Sequence, residues 1–480
     1  MSIFSFYLYK FFGLHKDIHG SAKFLSGFEK WKLLNTRNDG LVIDGKKRIS
    51  LDRSFRHLLL VAPTGSGKTT SYIIPNILNL ENASAVVTDP SGEIFLKTSG
   101  YLHSKGFNVK VIDVRELKNT LRFNPLHRAN THTEIKKVSD VLVNSAFPES
   151  RGDQQFWNDG AKNIINILVR CLKRESIEFQ NLHNLRFLLN SFGYDGSPLN
   201  DFIARNTEGD RQTFEEFKGF ISNDEKVIQG AVATAKTALD KFSDPELCFL
   251  SADETLNFET LRKEKTVLFL IVPEHEIKYY GFYISLLYTQ IFSFCMETPL
   301  EGENTLPLFF LLDEFGNTGA IPNFSNLITT LRKRNCSCSL VLQDMEQLVH
   351  TYGKSEASTI VNGGCSSRIF FPGLSLQTCE ELERTLGRST IRYMESGTHK
   401  LGEETDTARD MTAGRSLLMA DEIRTMEDDQ GLFIHGNKRP VMLKIRPYYK
   451  SRGLLRKSKM KPLERYYLKN SEESIQYLHL

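Results

Sequence analysis

One stretch restricts this chain more than any other. The apolar run His57–Val61 (HLLLV) leads straight into Ala62-Pro63-Thr64-Gly65-Ser66-Gly67-Lys68-Thr69, and Thr70–Leu80 then reads as a helix. A short apolar run of this kind is expected to be a buried parallel strand. Strand, glycine-rich turn and helix in that order form the context in which a P-loop binds phosphate. The backbone N–H groups of Gly65, Gly67 and Lys68 then cradle phosphates, helped by the helix N-terminus. Lys68 reaches the β/γ-phosphates, and the Thr69 hydroxyl binds Mg²⁺. Thr64, Ser66 and Thr70 complete the predicted nucleotide-binding set. Ala62 replaces the first glycine of the pattern, and Pro75 is predicted to bend or interrupt the helix.

An ATP site of this type needs a carboxylate at the end of another strand. Leu306–Leu312 (LPLFFLL) runs into Asp313-Glu314. Asp313 is expected to hold the Mg²⁺ shell and Glu314 to polarise the attacking water. An acidic pair after a strand also serves as a plain helix N-cap. Asn323–Arg334 then reads as a helix, and Ser337–Leu342 as a strand ending at Gln343, where a Gln orients water or senses the γ-phosphate. The helix closes on Arg332, Lys333 and Arg334. An arginine there that reaches a neighbouring subunit's phosphate is worth about 10³–10⁵ in rate. A solvated basic helix end, favoured by the macrodipole, is the competing reading.

Lys68 and Asp313 are 245 positions apart, more than one three-layer α/β domain needs between these strands, so something is inserted. Helical spacing at Phe156–Cys171, Phe187–Leu189 and Phe214–Phe220, with the Ala-rich Val227–Leu239, predicts a helical subdomain. The chain returns to the sheet at Thr266–Val272. Strands near Arg368–Phe371 and Gly431–His435 continue it, and Pro440–Arg446 adds an edge strand. The expected divisions are a lead-in over 1–40, a nucleotide-binding domain over 41–150 and 256–449, an all-α insert over 151–255, and a basic tail over 450–480.

Composition narrows the classes. With 480 residues, 40% hydrophobic, 25% charged and no low-complexity run, a disordered or fibrous chain is excluded. The 61 basic residues nearly balance the 58 acidic ones, so any nucleic-acid contact must be local. Such a patch is Lys444–Lys469, with ten basic residues against Glu464 and with Tyr448, Tyr449, Tyr466 and Tyr467 interleaved. It suits a nucleic-acid backbone or anionic lipid, or else a solvated tail. Seven cysteines without a C-x-x-C read as reduced thiols, and Cys336 with Cys338 does not make a zinc site. No apolar run approaches the roughly 20 residues of a membrane span. The aromatic Ile3–Leu14 fits a membrane surface or partner, or packing on its own domain.

Several ordered motifs then resemble one family, the type IV secretion coupling proteins of the TraG/TraD group within the FtsK/HerA class. His19-Gly20-Ser21-Ala22-Lys23 resembles its H-G-S-A-[RK] box. Asp89-Pro90-Ser91-Gly92-Glu93 resembles D-P-K-G-E, with Ser91 for Lys. Arg122-Phe123-Asn124-Pro125-Leu126 matches R-F-N-P-L. Leu312–Asn317 with Ile321-Pro322 matches the Walker B segment, and Gln343, Leu386-Gly387 and Arg415–Leu418 match downstream boxes. The resemblance implies an α/β fold: a RecA-like domain with a mainly parallel sheet and an inserted all-α domain that receives substrate. It implies a hexameric ring on ATP and DNA that hydrolyses ATP with Mg²⁺ and places the trans-acting arginine at Arg332. The partners it implies are a relaxase or relaxosome, single- or double-stranded DNA, and secretion-channel ATPases. On this reading the family's usual N-terminal anchor is not expected here. The expected location is therefore the cytoplasm, with a separate membrane partner, or the aromatic N-terminus, recruiting the chain to the inner face of the membrane. A nucleotide-gated substrate receptor and an FtsK/HerA-type DNA pump outside secretion are the alternatives.

Overall fold

The computed structural model describes residues 17–148, 152–192, 197–297, 305–396, 408–465 and 475–480. Ile3–Leu14 and the distal Tyr466, Tyr467 and Lys469 lie outside the described residues. The strands are β1 (Leu58–Val61), β2 (Ser84–Thr88), β3 (Asn108–Asp113), β4 (Thr266–Ile271), β5 (Leu308–Leu312), β6 (Cys336–Leu342), β7 (Ser367–Phe370), β8 (Arg388–Ser396), β9 (Ala408–Ser416), β10 (Gln430–His435) and β11 (Val441–Lys444). Nine form one sheet in the order β11-β10-β7-β1-β6-β5-β2-β4-β3. From β7 to β3 every pairing is parallel, while β10 and β11 run antiparallel at one edge.

Continuous apolar runs make this sheet because both of its faces are covered. On one face Leu58, Leu60, Val87 and Phe269 pack on Ile73, Ile77 and Phe95. On the other, Leu59, Val61, Phe310 and Leu340 join a core that continues into the helices beyond β3. Each fully buried leucine contributes about 1.5–3 kcal/mol. The helix after β1 opens as a π turn, Thr69–Ile73, and becomes α over Ile74–Leu78. Pro75, with no N–H to donate, thus falls in the first turn of the α segment, where none is required.

Between β3 and β4 the described chain is helical. Its first long helix is His132–Ala146, upstream of the expected 151, and it centres on Asp153–Leu172. Helix Glu225–Ala238 approaches this central helix closely. A Cβ on Gly230 would sit 2.3 Å from the Trp157 ring, and one on Gly160 2.8 Å from Ala231. The two limbs joining these helices to the sheet are tied together. Asn124, fully buried, donates to the carbonyls of Gln180 (2.8 Å) and Ala252 (3.1 Å) and accepts from the Leu126 N–H (2.9 Å). Arg122 N–H donates to the Thr255 hydroxyl at 2.8 Å. The R-F-N-P-L motif is thus the junction between sheet and helices.

Strands β8 and β9 form a separate hairpin that no apolar pattern announced. The H-G-S-A motif lies along it. Ala22 N–H donates to the Arg388 carbonyl (3.0 Å) and Thr390 N–H to that of Gly20 (3.1 Å). A Cβ on Gly20 would meet the Arg388 oxygen at 2.1 Å, so only glycine fits. The basic segment is not a free tail over its described part. Helix Arg452–Ser458 packs on Glu93–Ser104, Lys457 donates to the Leu78 carbonyl (2.8 Å), and Arg465 pairs with Asp113 (2.8 Å). The seven cysteines are buried free thiols. No helix among the described residues is long and apolar enough to cross a membrane.

Candidate nucleotide site

The glycine-rich turn leaves β1 at the C-terminal edge of the parallel sheet, pinned by Ala62 N–H to the Leu342 carbonyl at 3.0 Å. Gly65 and Gly67 hold φ of 78° and 82°, the left-handed region in which glycine carries no Cβ strain. Ser66 closes the turn through N–H and hydroxyl contacts to the Pro63 carbonyl (3.2 and 2.6 Å). Thr70 Oγ1 donates to the Gly67 carbonyl at 3.1 Å. Thr64, Gly65, Ser66, Gly67 and Thr70 line one wall of an open cavity of about 530 Å³. Gly373, Arg424, Met426, Tyr449 and Lys450 line the opposite wall.

Strand β5 delivers Asp313 and Glu314 to the same edge, with β6 between it and β1. Thr69 Oγ1 donates to Asp313 Oδ2 at 3.0 Å, across 244 positions of sequence. Lys68 Nζ forms an ion pair with Glu314 Oε1. The other oxygen, Oε2, accepts from Gln343 Nε2 at 2.8 Å and from Asn317 Nδ2 at 3.4 Å. Glu314 sits at φ 54°, a left-handed conformation that costs a non-glycine residue about 1–2 kcal/mol. Strain of this kind collects at functional sites. Lys68, Asp313 and Glu314 are 9%, 4% and 6% exposed. Burial pushes the Asp313 carboxyl up to about 6, against the opposing pull of Lys68 and with the Glu314 charge adding to the rise.

The structure thus brings Lys68, Thr69, Asp313, Glu314 and Gln343 together in one place. A hydroxyl beside a carboxylate is a hard oxygen pair suited to Mg²⁺, and a lysine over a left-handed glycine turn suits phosphate. Arg332 is not brought there. It lies in the turn before β6, at the N-terminal edge of the sheet, half exposed and 3.7 Å from Asp52. The seven residues of β6 put about 23 Å between the two edges. Asn317, Gln347 and Tyr449 were not foreseen at the site. Gln347 Oε1 accepts the Gln343 N–H at 2.9 Å and fixes that strand end. Only the Pro447-Tyr448-Tyr449 run beside an edge strand gave any sign of the second wall. Asp89, of the D-P-S-G-E motif, is buried with its carboxyl raised to about 6 by burial, and it caps the following helix through the Phe95 N–H at 2.8 Å.

A family model described as type IV secretory system conjugative DNA transfer matches residues 25–476. Protein VirD4 of Rhizobium radiobacter is 21% identical over 410 residues, 83% of this chain and 58% of that protein. Conjugal transfer protein TraG of Escherichia coli is 22% identical over 372 residues, 72% of this chain and 58% of TraG. The chain therefore spans less than two thirds of the length of these relatives. Among solved structures, the bacterial conjugative coupling protein TrwBdeltaN70, in its unbound form, aligns with a TM-score of 0.69 at 17% identity, covering 88% of this chain and 92% of that one. Plasmid coupling protein TrwB in complex with ADP and Mg²⁺ aligns with a TM-score of 0.68 at 17% identity, covering 89% and 94%. This likeness bears on the fold, a P-loop α/β domain with a mainly parallel sheet and a helical insertion. Since the family model spans nearly the whole sequence, the chain belongs to the type IV secretory system conjugative DNA transfer family.

Proposed function

We propose that this chain is an ATP-hydrolysing coupling protein of a conjugative type IV secretion system, passing relaxase-bound DNA or protein cargo to the transfer channel. The observation that carries the reading is the meeting of Lys68 and Thr69 with Asp313 and Glu314 across some 245 positions, at one edge of the sheet. TraG and TrwB, whose names carry conjugal transfer and coupling, and the TrwB complex with ADP and Mg²⁺, support it. ATP with Mg²⁺ supplies the phosphoryl group and the metal that offsets its charge. Lys68 moves from Glu314 to phosphate oxygens, which frees the Glu314 carboxylate to orient and polarise water. Gln343 holds that carboxylate from the strand end, and Thr69 with Asp313 would hold the metal. Arg332, about 23 Å from its own P-loop edge, serves a neighbouring subunit, which calls for a ring. A hexamer and recruitment to the inner face of the membrane complete this reading. The helical insert over 151–255, with helix 132–146 at its base, is the unit that receives cargo.

Phosphate release measured with Mg²⁺ and single-stranded DNA tests the reading. DNA-stimulated turnover that disappears in Lys68→Ala is expected. Negligible turnover by the wild-type chain, with cargo still bound, would replace the motor by a nucleotide-gated receptor.

A further inference from the structure

Among the described residues Arg262 is the largest side chain that is fully buried, at 1% exposed, and nothing above uses it. It sits on the short helix Thr260–Lys263 that leads into β4, at the N-terminal edge of the sheet. A guanidinium stays charged, and burying one is costly unless a carboxylate answers it. No carboxylate among the described residues pairs with Arg262. Instead Nη2 donates to the Arg334 carbonyl at 2.8 Å, Nη1 faces Cys336 Sγ at 3.7 Å, and Nε has no partner. The Arg262 carbonyl accepts the Leu306 N–H at 2.8 Å, just ahead of β5. One residue thus ties the chain before β4 to the entries of β5 and β6.

The turn it grips is the one that carries Arg332. Arg332–Arg334 form a single 3₁₀ turn, and Asn335, at φ 51°, reverses the chain into β6. The Arg332 side chain is half exposed and meets Asp52 only at 3.7 Å. Its direction is therefore set by the main chain of the turn, and the Arg334 carbonyl is where a buried group holds that main chain. A side chain that must reach a phosphate on another subunit gains from being placed in advance. A displacement of about 1 Å can cost about 10²-fold in rate.

We propose that Arg262 is the positioning residue for Arg332: it clamps the turn Arg332–Asn335 so that Arg332 is held out toward the nucleotide of a neighbouring subunit. The inference rests on the reading in which Arg332 serves that neighbour. Arg262 itself touches no substrate. Its loss acts on turnover through Arg332 and spares nucleotide binding, because the P-loop lies at the opposite edge of the sheet.

The test is phosphate release with ATP, Mg²⁺ and single-stranded DNA. Arg262→Met should lower kcat by about 10²-fold, with KM for ATP within about twofold of the wild-type value and circular dichroism unchanged. Arg262→Lys keeps the charge and one donor for the Arg334 carbonyl, and should fall between the two. Mixed subunits then separate positioning from damage to the variant's own site. Arg262→Met subunits keep an intact P-loop, and Lys68→Ala subunits keep an intact Arg262 and Arg332. A mixture of the two, each feeble alone, should recover turnover. Arg332→Ala mixed with Lys68→Ala is the reference, and Arg262→Lys replaces Arg262→Met in the mixture where the latter does not fold. Recovery in the reference but not with the Arg262 variant would overturn the positioning role and leave Arg332 in place. No recovery in the reference would overturn the neighbour-serving reading and this proposal with it. Wild-type kcat in folded Arg262→Met would overturn the proposal alone.

Discussion

At the C-terminal edge of β1, β5 and β6, charges are buried and bonded to one another. Lys68 pairs with Glu314, and Asp313 accepts from Thr69. At the N-terminal edge of the same strands, Arg332 is half exposed and meets Asp52 only at 3.7 Å. Buried pairs are costly to assemble and severe to break, whereas exposed pairs contribute about 0–1 kcal/mol. The first edge is thus a committed site inside one chain. The second would give up little if Arg332, in its proposed role, left Asp52 for a partner's phosphate. On the proposed reading, the same strands separate at their two ends what a subunit does for itself from what it does for its neighbour.

The strongest attempt to break this contrast is Arg332→Ala. A loss of about 10³–10⁵ in kcat is expected, with nucleotide affinity near normal and the thermal midpoint little moved. Unchanged turnover would take Arg332 out of the reaction. Next comes Glu314→Gln, for which steady-state phosphate release should fall about 10²–10⁴-fold while ATP still binds. Wild-type turnover would return Glu314 to a purely structural place beside Lys68.

The edges also differ in their response to pH. At the C-terminal edge, burial holds Asp313 near 6, above its unfolded value of 3.8. The folded chain therefore keeps a proton that the unfolded chain has lost, and stability falls as pH rises from about 4 to 6. At the N-terminal edge, His57 sits at φ 53° with its Nδ1 accepting from the Cys338 N–H at 3.0 Å. Its pKa is lowered from 6.5 to about 4, chiefly by burial, against a carbonyl contact from Ile328 and with Arg332 adding to the drop. There the unfolded chain binds the proton first, so stability is present above 6.5 and is lost as pH falls toward 4. Each contribution is on the order of 3 kcal/mol. Urea unfolding of the nucleotide-free chain between pH 4 and 6.5 should therefore show Asp313→Asn and His57→Asn tilting the stability curve in opposite directions. Tilts of the same sign would refute the two-edge account.

The smallest effect concerns the basic segment. Lys457 and Arg465 are spent on the Leu78 carbonyl and on Asp113, whereas Arg452, Arg456 and Lys459 are exposed. Neutralising those three should lower the slope of log K for DNA against log salt by about one per lost phosphate contact. An unaltered slope would make the helix a strap on the nucleotide domain alone.

The central strands and the phosphate turn were legible because a strand buried on both faces must be apolar throughout, as LLLV and LFFLL are. The carboxylate pair was legible for the same reason, since it interrupts such a run at its end. The β8–β9 hairpin was not, because its residues, such as Arg392, Tyr393 and Met411, face solvent and carry no periodic apolar signal. The roles of Gly20 and Asn124 were hidden too. A close backbone approach and a buried amide bridging two carbonyls are long-range facts with no local pattern. The far wall of the cleft, with Tyr449, comes from a chain segment some 380 positions beyond the P-loop, and only folding places it there.

The most direct measurement is a crystal structure with ADPNP and Mg²⁺. The account requires phosphates over Gly65–Thr69, a metal contacting the Thr69 hydroxyl with Asp313 beside it, and Lys68 released from Glu314. A nucleotide bound elsewhere, or Lys68 still paired with Glu314 while the phosphates lie apart from it, would contradict it.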